Sequence, residues 1–150
     1  LTCAASPRYT QAEGFPHGGT ADDVLGIAAA ITADRAGFFR SLAEGAVAPG
    51  SSEALIRWLE RGFLSSGPAA SATLAGLATL DQRDVLASLD VPVLSIGGAK
   101  DTVADPAIAG FAARTARHGT LLTLDTGHSP HLEASNAYND AMLEFLGTLT

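Results

Sequence analysis

Cysteine occurs once in these 150 residues, as Cys3. A lone thiol excludes an internal disulfide framework and a zinc site built from paired thiolates. Basic residues are scarce: 9 Lys and Arg stand against 16 Asp and Glu, a formal net charge of −7. So acidic a chain suits neither nucleic acid nor an anionic lipid surface, and no run of like charges marks an interaction tail. No stretch reaches the roughly 18 apolar residues needed to cross a bilayer. The pattern of a secretion signal, a basic start followed by an apolar run, is lacking as well. No internal repeat or low-complexity tract breaks the chain, and nothing indicates a protein partner. A single thiol fits the reducing cytoplasm, the expected location.

What is present is a core-forming composition, 47% hydrophobic and only 17% charged, enough for one packed domain. Leu1 opens directly into the apolar run Leu1–Ala5. That run predicts a buried strand entered midway, with Cys3 as a small apolar residue inside it, so the chain is expected to be a fragment of a longer protein. Gly14, Pro16, Gly18 and Gly19 predict a loop. A helix is expected from Thr20, a capping residue followed by Asp22 and Asp23 in the first turn, to about Ala43. A second helix follows from Ser51 or Ser52, with Leu55, Ile56, Leu59 and Phe63 at helical offsets. Ser65-Ser66-Gly67-Pro68 breaks it. A third helix is expected over about Ala69 to Leu80 and a short fourth over Gln82 to Ser88.

The pattern changes at Asp90. Val91–Ile96 is β-branched and apolar, bounded by Pro92 near its start and by Gly97-Gly98, which reads as a strand buried on both faces. Pro106 to Arg117 reads as a helix, Thr120 to Asp125 as a strand, and Ser135 to Thr148 as an amphipathic helix with Tyr138, Met142 and Phe145 along one side. The fold class is therefore α/β. Three parallel strands with flanking helices are expected from residues 1–19 and 90–150, and the strandless block of four helices over residues 20–89 is expected to be an insertion that packs over one edge. So thin a sheet leaves an apolar edge open, and this stretch by itself is expected to be poorly soluble.

In such sheets reactive groups sit beyond the carboxyl ends of the strands. Two loops qualify: Gly97-Gly98-Ala99-Lys100-Asp101 and Thr126-Gly127-His128. A carboxylate that accepts the Nδ1 proton of an imidazole fixes its tautomer and steadies the imidazolium formed in proton transfer. Spacing alone leaves two other readings open: an Asp after a strand also caps the next helix, and a Gly-His pair also forms a solvent-facing turn.

The segment from Val91 to Leu149, in "VPVLSIGGAKDTVADP" and "GHSPHLE" and in the 27-residue step from acid to histidine, resembles the end of α/β-hydrolase fold enzymes. That broad group includes esterases, lactonases and haloperoxidase-like hydrolases. The stretch "AASPRY…GFPHGG…ADDVLG" is similar to a narrower group within it, the bacterial stress-regulator hydrolases and butenolide-receptor-type hydrolases, which carry a four-helix lid. The resemblance implies a serine hydrolase acting on a small, fairly apolar ester or lactone. Its Ser-His-acid triad would use Asp101 as acid and His128 as base, with no metal and no cofactor. The G-x-S-x-G elbow that holds the nucleophile in this family does not occur here. The serine is therefore expected upstream, just before the first strand, and these residues alone are expected to be inactive. A weakly catalytic or non-catalytic ligand sensor of the same fold is the alternative, and a self-standing module without activity is a third. Val103, two positions past the acid, and the lid aromatics Phe39 and Trp58 are candidate pocket residues. His131 follows His128 by three positions without a third ligand, so no metal site is expected.

Overall fold

The computed structural model describes residues 1–67 and 69–149. Pro68, part of the expected helix breaker, and Thr150, at the end of the expected core segment, lie outside the described residues. The N-terminal run forms less strand than its apolar character predicts. Leu1–Ala5 makes one parallel bridge, Thr2 to Ile96, held by Cys3 N–H donating to Ile96 O at 2.8 Å and Ile96 N–H donating to Leu1 O at 2.7 Å. Pairing stops because Cys3 adopts φ +41°, a region that disfavours a side chain and turns the backbone out of the extended conformation. The loop that follows is pinned by Phe15, which is fully buried and meets the Phe111 ring edge-on at 4.8 Å.

Five α-helices and one 3-10 turn, rather than four helices, fill residues 20–89 among the described residues. α1 (Ala21–Ala33) starts as expected on Thr20, whose side chain and that of Asp23 form a reciprocal capping box. The expected continuous helix to Ala43 is interrupted at Asp34. Its backbone leaves the helical region, and its carboxylate accepts from Gly37 N–H to start α2 (Arg35–Gly45). A short acidic side chain that can bond the backbone locally favours a cap over a helix interior. α3 (Glu53–Leu64) begins on the Ser52 cap. α4 (Ala70–Ala75) shortens the expected third helix and passes into a 3-10 turn at Gly76–Ala78. α5 (Arg83–Ser88) completes the block. Ala43, Ala46, Val47 and Leu59 form the seam between α2 and α3, and Val103 and Leu132 pack against it from the loops of the sheet. α5 lies on the other side: Leu86 packs with Val93, Ala112 and Ala116.

β1 (Pro92–Gly98) is buried at every residue after Pro92, as its two-sided apolar run requires. α6 (Ala107–Thr115) crosses over it, laying Ile108, Ala109 and Ala112 inward. β2 (His118–Leu124) then pairs with β1 in parallel, in register from Pro92↔His118 to Gly98↔Leu124. The expected three-stranded sheet is thus two strands with a single-residue bridge beside them, among the described residues. β2 is an exposed edge strand, with Leu121 47% exposed. The strand begins at His118, two residues before the expected Thr120, and His118 sits 3.6 Å from Asp90.

α7 (Pro130–Glu133) is a single turn that periodicity does not reveal, and α8 (Ser135–Gly147) ends the chain. Tyr138, Met142 and Phe145 are its half-buried side, as expected, while Leu143 and Leu146 face outward. Among the described residues no helix is long and apolar enough to cross a membrane.

Ile96 carries most of the burden at the centre of this sheet: it is 1% exposed and pairs on both sides. Ile96→Ala should lower unfolding free energy by about 3 kcal/mol, whereas Val85→Ala, at a 59% exposed position, should change it by less than about 0.5 kcal/mol. Denaturant midpoints of the two variants check the contrast.

Candidate active site

Parallel pairing in register ends β1 and β2 side by side, so the two loops that follow them leave the same edge of the sheet. They touch because two glycines have no side chain. A Cβ on Gly98 would lie 1.9 Å from Gly127 O, and a Cβ on Gly127 would lie 2.6 Å from Val47 C. Neither contact is one a real side chain can make. The first brings the acid loop against the histidine loop. The second brings the histidine loop against the segment after α2.

Asp101 and His128 meet there. His128 Nδ1 and Asp101 Oδ2 are 2.8 Å apart. The Asp101 side chain is 2% exposed and the His128 side chain 30%. The other oxygen of Asp101 is occupied as well, accepting from Val103 N–H at 2.8 Å and Ala104 N–H at 2.9 Å. Burial pushes the Asp101 carboxyl up. The hydrogen bonds from His128, Ala104 and Val103 outweigh it, and the group is held below the ordinary aspartate value. The carboxylate is therefore ionised, fully hydrogen-bonded and fixed in place. An imidazole anchored in this way through Nδ1 keeps its proton there and presents Nε2 as a base.

Cys3 stands close by. Its sulfur, a carboxylate oxygen of Asp101 and a ring nitrogen of His128 all lie within 4.8 Å of one another. Burial, and then the negative charge of Asp101, push the thiol up to about 12. A thiol held protonated is neither a nucleophile nor a ready metal ligand, and the other two groups are already bonded to each other. Sequence reading treated Cys3 as strand core. Its contact with the acid–histidine pair comes from the turn at its positive φ, which no residue pattern announces.

His128 borders a cavity of about 570 Å³ between the sheet edge and the helices. Val24, Ile27, Phe38, Leu42, Phe63 and Val103 form its apolar walls. Among the described residues that line it, none is Asp, Glu, Lys or Arg. Tyr9 also lines it and donates from its hydroxyl to Val103 O at 2.5 Å, tying the first loop to the acid loop. Of the three pocket candidates, Val103 lines the cavity. Phe39 is buried behind it, against Phe38, Phe63 and the Arg35 guanidinium. Trp58 is 59% exposed on α3 and stands outside it. The ring that faces the cavity from α2 is Phe38, one position before the residue expected.

No family model matches the chain. It is 30% identical over 152 aligned positions to the pimeloyl-[acyl-carrier protein] methyl ester esterase of Xanthomonas campestris pv. campestris, an alignment that covers 97% of this chain and 60% of that protein. It is 29% identical over 115 positions to 3-oxoadipate enol-lactonase 2 of Acinetobacter baylyi, covering 66% of this chain and 43% of the relative. The chain thus spans about 60% or less of the length of these relatives. Its backbone superposes on an esterase from Exiguobacterium antarcticum with a TM-score of 0.91 at 24% identity, over 98% of this chain and 56% of that one. With the β1–α6–β2 unit, these likenesses in sequence and backbone show an α/β-hydrolase fold in a chain that is similar to esterases and lactonases.

Proposed function

We propose that this chain supplies the acid and the base of a serine hydrolase that cleaves a small carboxylic ester or lactone. The observation that carries the reading is the 2.8 Å contact of His128 with a buried, ionised Asp101, at the mouth of a cavity without charged walls. A serine outside these 150 residues would attack the ester carbonyl. His128 would accept the hydroxyl proton on Nε2, pass it to the departing alcohol, and then take a proton from the water that releases the acid. Asp101 would orient the ring and steady its charge. Residues 20–89 would serve as the lid and residues 1–19 and 90–150 as the core, with Val103 at the boundary between them. The helices α1 and α2 and the residues Phe63, Leu74 and Leu77 close the cavity from the lid side. That lining favours an uncharged, mostly apolar acyl or alcohol group, because a carboxylate entering it would lose hydration and gain no cationic partner. The relatives, by their names a methyl ester esterase and an enol-lactonase, act on the same class of bond. The reducing cytoplasm is the location that fits a buried, protonated thiol.

The full-length polypeptide should react with a fluorophosphonate probe at one serine. His128→Ala should abolish that labelling and lower ester turnover by about four orders of magnitude. Turnover that survives His128→Ala would remove the mechanism.

A second outcome follows from the depressed Asp101 carboxyl. Stability contributed by its ionised form is complete above the ordinary aspartate value of about 3.9 and is lost as pH falls through the lower folded-state value. Asp101→Asn should therefore be less stable than the parent near neutrality. The gap in denaturant midpoints should close as pH falls below the ordinary aspartate value and through the lower folded-state one.

A further inference from the structure

One carboxylate at this site has no part in the proton transfers. Glu133 closes α7, the single turn after His128, and is half-buried. Its Oε2 accepts from Gly127 N–H at 3.0 Å and from Ala48 N–H at 2.6 Å, and its Oε1 accepts from Ser129 N–H at 3.1 Å. Gly127 and Ser129 are the residues on either side of His128. Ala48 lies in the segment joining α2 to α3. Among the described residues no Lys, Arg or His lies within ion-pair distance of Glu133, so three backbone N–H groups satisfy its charge. The turn that presents it is itself fixed: Pro130 is buried, and Ser129 O accepts from both Leu132 N–H and Glu133 N–H. Gly127 rests directly on Val47 and Ala48, with no room for a methyl group between them. The histidine loop and the helical block thus meet backbone to backbone, and Glu133 bonds both.

We propose that Glu133 is the positioning residue of this site, one carboxylate that fixes the backbone on both sides of His128 and, through Ala48, holds the α2–α3 segment at a set height above the imidazole. The proposal deepens the hydrolase reading and rests on His128 being its base. Asp101 aligns the ring from its Nδ1 side, but a side-chain contact cannot by itself fix the main chain that carries the ring. Gly127 offers no side chain to pack, and His128 is partly exposed. Besides the close backbone packing of Gly127 on Gly98 and Val47, the loop's position depends on what its two flanking N–H groups bond to. Loss of that acceptor lets the loop move relative to Asp101, and small displacements of a proton carrier cost turnover more than binding.

The test compares full-length parent, Glu133→Gln, Glu133→Ala and Glu53→Gln. Glu53 lies in the exposed ion cluster with Arg40 and Arg57, so its variant removes an acid from the helical block without touching the histidine loop. Turnover of p-nitrophenyl acetate is measured together with the strongly downfield proton resonance of the His128–Asp101 hydrogen bond. Glu133→Ala should lower kcat by about 100-fold with KM changed by less than about 3-fold, and the resonance should broaden or vanish while circular dichroism shows a folded chain. Glu133→Gln keeps one oxygen for Gly127 and Ala48 but sets an NH2 against Ser129 N–H, so it should shift the resonance without abolishing it and lower kcat by between about 3-fold and about 10-fold. Glu53→Gln should match the parent in both readouts. A folded Glu133→Ala that keeps the resonance and kcat within about 2-fold overturns the proposal. If Glu133→Ala does not fold, Glu133→Gln decides: parental kcat and an unshifted resonance overturn it, and a shifted resonance with lowered kcat supports it. Failure of the hydrolase reading shows separately, as parental turnover that persists in His128→Ala, because the resonance reports the clamp whether or not the protein turns over ester.

Discussion

Everything at this site descends from the parallel register of β1 and β2. Seven residues pair without a slip, so both strands end together and both following loops start at one edge. A displacement of one residue would carry one strand end past the other by about 3.3 Å and take Asp101 away from His128. The register is maintained by the burial of β1 on both faces and by α6, whose small residues let it lie close over the sheet. The 2.8 Å contact between acid and imidazole is a consequence of that geometry. Its strength comes from the low exposure of Asp101, where three hydrogen bonds fall on one carboxylate with little water to compete.

Electrostatics around the pair are arranged by burial as much as by charge. The same surroundings hold the Asp101 carboxyl down and the Cys3 thiol up. An anion with donors on both oxygens is stabilised, and a neighbouring group that would become a second anion is penalised by desolvation and by the first charge. The result is a cluster with one negative charge, one imidazole and one neutral sulfur, opening toward an apolar cavity. Tyr9 is pushed up by burial and by Asp101 in the same way, so its hydroxyl remains a donor to Val103 O.

The helical block meets the sheet at Val103 and Leu132 against the α2–α3 cluster, at Thr102 to Gly45, at Ala48 to Glu133, and at Leu86 against Val93 and Ala112. Most of these converge on the acid loop or the histidine loop. The position of the block over the cavity and the position of the acid–histidine pair are consequently parts of one packing arrangement.

Local pattern determined the elements with strong local causes. The β-branched run of β1, the Thr20 and Ser52 caps, the helix after Pro106 and the amphipathic side of α8 are each written in adjacent residues, and so is the placement of Asp101 and His128 just past strand ends. Features that depend on residues far apart in sequence were decided only by the fold. The break at Asp34 substitutes a cap for a helix interior, and Phe38, not Phe39, lines the cavity. Trp58 falls on the outer face of α3. Cys3 leaves its strand through a positive φ and arrives beside the acid. Glu133 reads as one more surface acid until α7 turns it back onto the amides around His128. Short-range propensity is additive along the chain and so is legible in sequence, whereas a hydrogen bond between Ala48 and Glu133, 85 positions apart, exists only once the intervening chain has been folded into place.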